Sequence, residues 1–309
     1  MVRSIVRSVL MVIACLGAQA PGACKEAVQL AFKFSPGEVT TYEVAVSGAG
    51  HVRSSEGELV PVGVQGSLSF NCRTVEVLAD GSGRSEGRLM RADVEASIGQ
   101  QRARFLYANG RLRWFANGQE HPPPNVDLSQ LPLLGAPIVF TVAPNGRVSG
   151  DSSLLEALRE AAPAIGGGQF PQVGEQVFPD GPVAVGETWR HTAQLHPLGP
   201  TAPITITTSR TLDSHSLEGG VGVAKISGYS EARLRAGQLS LSQGETEVRV
   251  ATPRLRRTIT STEFFNTSEG RLLRADYEVA VSAEVSVGIE EEEREGGVEA
   301  RFHVTVQAR

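Results

Sequence analysis

Between Tyr277 and Ala308 the chain alternates apolar and polar residues so regularly that only an extended backbone fits it. Tyr277, Val279, Val281, Ala283, Val285, Val287 and Ile289 take odd positions, with Asp276, Glu278, Ser282, Glu284 and Ser286 opposite. Val298, Ala300, Phe302, Val304, Val306 and Ala308 continue on even positions, with Glu299, Arg301, His303, Thr305 and Gln307 opposite. A period of two sends successive side chains to opposite faces of a strand. The pair predicts a long antiparallel hairpin with one apolar and one wetted face. At ~3.4 Å per residue its first arm runs roughly 40 Å. Arms of that length belong to large curved sheets.

Shorter stretches repeat the pattern. Val28, Leu30, Phe32 and Phe34 alternate, Ser35-Pro36-Gly37-Glu38 turns the chain, and Tyr42, Val44 and Val46 alternate again. Residues 47–66 are rich in Gly and Ser and read as a loop or weak edge. Leu68, Phe70 and Cys72 share one parity and Val75 and Val77 the other, which predicts a bulge near Thr74. Met90, Ala92, Val94, Ala96 and Ile98 form one run; Ala103, Phe105 and Tyr107 lead to Asn109-Gly110, a two-residue hairpin signal, and on to Leu112, Trp114 and Phe115. Asn145-Gly146 is a second such signal.

Asp151 to Ala162 reads as the one helix. Ser153 and Glu156 form a capping box, Leu154, Leu155 and Leu158 an apolar stripe, and Pro163 a stop. Phe178 to Trp189, FPDGPVAVGETW, then divides the strand-rich sequence, and Trp189 is expected to be buried there. The expected organisation is an export signal over 1–23, a first β-rich half over 24–120, a Pro/Gly-rich connector over 121–177 with a helix at 153–162, and a second β-rich half over 178–309. The halves echo each other. Pro36-Gly37-Glu38-Val39-Thr40 matches Val185-Gly186-Glu187-Thr188-Trp189, and Phe105 to Leu112 matches Phe264 to Leu272. The fold class expected is therefore mostly β. It consists of large curved antiparallel sheets, built from two repeated halves as a half-barrel or a sandwich, with one short helix.

Arg3 and Arg7 precede the uncharged run Ser8–Leu16, which is shorter than the roughly 20 residues a membrane span needs. An export signal is the expectation. Val12-Ile13-Ala14-Cys15 has the form of a lipoprotein box with Cys15 as the lipidated residue; the other reading discards Cys15 with the signal. Without residues 1–23 the chain keeps 27 basic and 34 acidic residues, a net charge of -7. That balance excludes a basic stripe for nucleic acid and an affinity for anionic membrane surfaces, so the expected membrane contact is the lipid anchor alone. Cys24 and Cys72 are free to pair after export, with no spacing pattern to require it.

Few residues suggest chemistry. Gly83-Arg84-Ser85-Glu86-Gly87 has the G-x-S-x-G form, yet a polar turn precedes it and a strand follows, where a nucleophile elbow needs a strand and then a helix. Asp80, Ser82, Arg84 and Glu86 make a calcium-loop pattern spoiled by an arginine at a ligand position. The six histidines do not cluster, and neither H-E-x-x-H nor C-x-x-C occurs. Glu290 to Glu293 and Glu295 read as a solvated hairpin tip. Arg233, Arg235, Arg249, Arg254, Arg256 and Arg257 lie near Glu231, Glu245 and Glu247, so cross-strand pairing is expected, with an anion-headgroup site as the alternative. No nucleophile, base and orienter share a context, so neither an enzyme nor a cofactor or metal is expected.

Pro179, Pro182, Val183, Val185, Gly186 and Trp189 form a P-x-x-P-V-x-V-G-x-x-W box. It resembles one in an uncharacterised family of bacterial exported proteins and lipoproteins, classed only as a domain of unknown function. Phe34-x-x-Gly37-Glu38-x-x-x-Tyr42 and the Gly270-Arg271-Leu272 turn also look similar. The resemblance implies an envelope location, in the periplasm or as an outer-membrane or cell-surface lipoprotein, and a β-rich fold. Two functions are expected to compete: a curved sheet that binds an apolar or lipid-like ligand, and an interaction module for an envelope protein with no small ligand. For the first, the apolar face of the second half is expected to stay partly uncovered, with Trp114, Trp189, Tyr277, Val281 and Val285 lining the site.

Overall fold

A computed structural model describes residues 27–54, 56–121, 137–150, 178–195, 204–243, 246–289 and 292–309. These hold sixteen strands and no helix. The first group is β1 (Ala27–Val28), β2 (Val39–Arg53), β3 (Leu59–Val77), β4 (Gly83–Ile98), β5 (Gln101–Ala108), β6 (Arg111–Ala116) and β7 (Gln119–His121). Next come β8 (Ile138–Val142), β9 (Val148–Gly150) and β10 (Val183–Ala184). The last group is β11 (Thr188–Leu195), β12 (Ile204–Glu218), β13 (Val221–Gln243), β14 (Thr246–Asn266), β15 (Arg271–Ile289) and β16 (Glu292–Ala308). The export segment with Cys15, Cys24 and the helix expected at 153–162 lie outside the described residues.

Fourteen strands make one antiparallel sheet in the order β11-β12-β13-β14-β15-β16-β2-β3-β4-β5-β6-β7, with β8 and β9 laid beside one end of β4. β7 and β11 do not pair, so the sheet is open. Along the path from β11 to β7, neighbouring strands are consecutive in sequence except at one place, where β16 pairs β2 and joins the halves edge to edge. The hairpin read from Tyr277 to Ala308 is present with Tyr277 opposite Val304, and β13, at 23 residues, extends to about 78 Å.

The two halves begin with the same knot of hydrogen bonds. In the first, the Gly37 amide donates to Thr74 O at 2.8 Å, Thr74 donates to Glu38 O at 2.9 Å, and Glu38 donates to Ser35 O at 3.1 Å. In the second, Gly186 donates to Leu212 O at 2.7 Å, Leu212 to Glu187 O at 3.1 Å, and Glu187 to Ala184 O at 2.9 Å. Both glycines are left-handed, at φ 82° and 85°. Each acceptor strand bulges just past the knot, between Thr74 and Glu76 and between Leu212 and Ser214. The turn linking β5 to β6 then stands where that linking β14 to β15 stands, fourth strand to fifth in both halves. Each half is thus a six-strand meander, β2–β7 and β11–β16, opened by the same knot.

The structure corrects the reading of residues 47–66. They are not a loop: β2 and β3 run through them and turn only around Gly57. Their glycines sit where strands approach too closely for a side chain. A Cβ on Gly48 would lie 2.2 Å from the Phe302 ring, and one on Gly66 would lie 2.5 Å from Asp93 O. The bulge at Val75 is as expected, and a further one throws Met90 off the face shared by Leu89 and Ala92, leaving it 44% exposed.

One end of the apolar face is covered by the chain segments that flank the halves. Phe178 meets Phe265 edge-on at 4.8 Å and Phe32 at 5.4 Å, while Val28 and Val183 pair across β1 and β10. Leu30, Leu212, Ala224 and Ile226 complete this cluster at 0–1% exposure. The FPDGPVAVGETW stretch is therefore an anchor, held also by the Phe178 amide on Asn145 O at 2.9 Å. Trp189 is half-buried against the cluster rather than fully buried, because β11 is an edge strand.

Candidate functional site

A single row of directly opposed residues crosses the sheet from β11 to β6. It runs Trp189, Arg210, Gly228, Ser261, Tyr277, Val304, Val46, Gly66, Val94, Phe105, Trp114. Opposed residues of an antiparallel pair share a face. Three of the five expected lining residues, Trp114, Trp189 and Tyr277, thus lie on one face and one row. They do not meet: ten strand spacings, about 48 Å along the sheet, separate the two tryptophans. Val281 lies on the same face of β15, half-buried against the cluster of Tyr277 and Val304. The side chain of Val285 is outside the described residues.

This face is not uniformly covered. Among its largest side chains below 2% exposure are Phe265, Ile206, Leu212, Ile226 and Ile259, all in the second half. In the first half Val60, Val62, Val64 and Val94 stay half-buried, and Ile98 is 60% exposed. Val52, Val298 and Phe302, on the strands that join the halves, are half-buried as well. Gly48, Gly50 and Gly66 add no side chains between them. The open part of the face is therefore centred on β16, β2, β3 and β4. The sequence placed it in the second half, where Tyr277 and Val279 are closed over at 9% and 2%.

A charged pair interrupts the closed part. Arg210 on β12 and Glu263 on β14 both point to the apolar face, with β13 between them. Gly228 is the β13 residue directly between Arg210 and Ser261, and a Cβ there would lie 2.2 Å from Ser261 Oγ and 3.8 Å from Arg210 Cγ. The missing side chain lets the arginine cross. Its Nε stops 3.8 Å from Glu263 Oε1, with the side chains 12% and 8% exposed, and Nε is enclosed with no hydrogen-bond partner. Ser261 Oγ donates to the same Oε1 at 3.1 Å. Burial first, and then the Glu263 carboxylate, push the Tyr277 hydroxyl above the usual tyrosine range. Sequence reading missed this pair. The signal was a charged residue on an apolar parity: Ile206-Thr208-Arg210-Leu212 and Ile259-Ser261-Glu263-Phe265.

Strands β14 to β3 also form an open groove of about 750 Å³ of mixed lining, with Glu278, Arg301 and His303 beside Val64, Val279 and Phe302. Within the basic run Arg256 reaches across from β14 to Glu231 at 3.0 Å, Arg233 holds the same carboxylate from along β13 at 2.9 Å, and Arg254 faces Glu284 across the strands at 3.9 Å. Ser85 lies buried within β4, paired between β3 and β8, and the glycines around it accommodate rings, Phe34 against Gly83 and Phe140 against Gly87. The G-x-S-x-G pattern is thus a packing feature. Asp80 accepts from the Ser82 amide at 3.0 Å as a turn, and no cluster of three metal-ligating side chains occurs among the described residues. Burial pushes the free Cys72 thiol up to about 11.

No family model matches the chain, and no curated protein matches it in sequence. Solved structures match weakly. OpdQ of Pseudomonas aeruginosa is 6% identical over 88% of this chain and 99% of that one, at a TM-score of 0.18. An outer membrane channel from Pseudomonas putida F1 is 8% identical over 94% and 100%, at 0.20, and OccK7 (OpdD) of Pseudomonas aeruginosa 8% over 88% and 99%, at 0.22. Scores this low reflect strand content more than a shared chain path, and nothing below rests on them.

Proposed function

We propose that the chain is an exported, non-enzymatic envelope protein that receives an apolar or lipid-like chain on the open part of its apolar face. Export rests on Arg3, Arg7 and the Ser8–Leu16 run. The observation that carries the binding reading is the unequal closure of one face. Leu212, Ile226, Ile259 and Phe265 are buried to 0–2%, whereas elsewhere on the same face Val60, Val62 and Val64 stay half-buried and Ile98 is 60% exposed. An apolar surface of this kind costs about 25 cal/mol for each Å² kept in water, so it marks a place where something docks. An acyl chain laid along Phe302 and Val64 would meet methyl groups and the ring that lies over Gly48.

The test is uptake of N-phenylnaphthylamine, whose fluorescence rises on transfer from water to an apolar site. The purified protein should bind it at micromolar concentration, and Val64→Glu should abolish binding while the circular-dichroism melt is retained. A folded protein that takes up no probe would instead be an interaction module without a small ligand.

A further inference from the structure

The chain treats its exposed and enclosed arginines in opposite ways. On the polar face, Arg104 forks onto Asp93 at 2.9 and 2.8 Å, Arg113 onto Glu120 at 2.9 and 2.7 Å, and Arg274 onto Asp276 at 2.9 and 3.1 Å. Each is a closed two-bond pair in water, where such pairs are worth least. Arg210, with only 12% of its side chain exposed, has its nearest carboxylate at 3.8 Å, too far for a hydrogen bond. An enclosed Nε–H left without an acceptor is costly, and an orphaned buried polar group calls for a partner.

Three features make this a built seat. Gly228 clears the lane in which the guanidinium lies. Ser261 fixes Glu263 through Oε1, which holds the carboxylate beside the arginine but short of closing on it. Tyr277 stands next to Ser261 on the row that leads through Val304 and Val46 towards the open part, so the pair lies on the same face of the sheet as that open part.

We infer that Arg210 and Glu263 seat the head of an amphiphile whose chain lies on that face, and that the head is a singly charged oxyanion. Arg210 supplies the unused donors that fit a carboxylate or a phosphodiester. Glu263, 3.8 Å away, offsets part of the positive charge and disfavours a second negative charge on the ligand. This inference rests on the apolar-ligand reading above, and the experiment separates the two.

Dodecanoate, a lauroyl lysophosphatidylglycerol and dodecanol would be titrated against bound N-phenylnaphthylamine. The wild-type protein should be emptied by one or both oxyanions at a concentration at least tenfold below that for dodecanol, and the better of the two tells a carboxylate from a phosphodiester. Arg210→Gln should erase the preference and leave dodecanol unchanged. Glu263→Gln should strengthen both oxyanions several-fold, again with dodecanol unchanged, and it decides the matter should Arg210→Gln fail to fold. Equal displacement by all three, or a preference that survives Arg210→Gln, would overturn the oxyanion seat while leaving the apolar reading intact. A wild-type protein that takes up neither probe nor any of the three would sink both.

Discussion

The two halves share a blueprint and differ in how far it is filled. Each opens on the same three-bond knot, at Gly37 and at Gly186, and each runs six strands in sequence. The second half then closes its apolar face with Leu212, Ile226, Ile259 and Phe265, all at 2% exposure or less. The first closes only the part built by Phe70, Leu89, Ala92 and Tyr107, at 7% or less, and leaves the smaller Val60, Val62 and Val64 on β3 half in water. The difference shows that register and closure are set separately. Backbone bonds at the knots fix which residues oppose which; side-chain volume, and the segments that reach over, decide whether the face becomes a core or a surface.

Truncation should separate the halves most sharply. Ile226→Ala removes a side chain at 0% exposure and should cost about 4 kcal/mol in chemical denaturation. Val64→Ala, on a half-buried site, should cost about 1 kcal/mol. Equal costs would mean that the first-half face is as much a core as the second. Crowding offers the next contrast. Gly66→Val would drive a side chain into Asp93 O and the Val94 backbone and should lose about 3 kcal/mol, whereas Gly181→Ala has open space and should stay within about 0.5 kcal/mol.

The knots themselves should respond alike. Gly37→Val and Gly186→Val each force a branched residue to φ above 80° and should each lower stability by about 1–2 kcal/mol. A large difference between them would break the equivalence of the two copies. The smallest effect belongs to the polar face. A hydrogen bond from Arg104 holds the Asp93 carboxyl below its ordinary range. Because the folded value is depressed, the contribution is present above the ordinary carboxylate range and fades as pH falls through the lowered value. Asp93→Asn should cost about 0.5 kcal/mol at neutral pH, and nothing once both forms are protonated; carboxyl NMR titration and denaturation at two pH values check it.

Much of this was legible because strand alternation is a local signal. The Tyr277–Ala308 hairpin, the Asn109-Gly110 turn and the bulge beside Thr74 each sit within a few residues of sequence, and each stands where the spacing put it. Residues 47–66 misled for a physical reason. Gly48, Gly50 and Gly66 look like loop residues until their cross-strand neighbours are known, and Phe302 lies over 250 positions away from Gly48. The same distance hid the candidate site. Nothing near Arg210 in sequence names Glu263 as its neighbour or Gly228 as its lane. The location of the open face depends on which residues overlie it, which periodicity does not encode.

The pairing of β16 with β2 has a consequence for how the molecule is made. Val304 and Val46, opposed in that ladder, lie 258 positions apart, while every other ladder of the main path joins strands that follow each other closely. Joining ends so distant carries a loop-closure cost of about 5 kcal/mol beyond a constant. Each meander can assemble from its own hairpins as it emerges, but β2 must wait with one edge bare until β16 arrives. Through that interval Thr41, Glu43 and their neighbours offer unpaired amides and carbonyls to any strand nearby, and the same interval leaves the Phe302 ring without Gly48 to cover. A chain threaded outward one residue at a time would thus carry its own central seam as its most aggregation-prone edge, and a permuted chain opened between β7 and β11 would make that seam local.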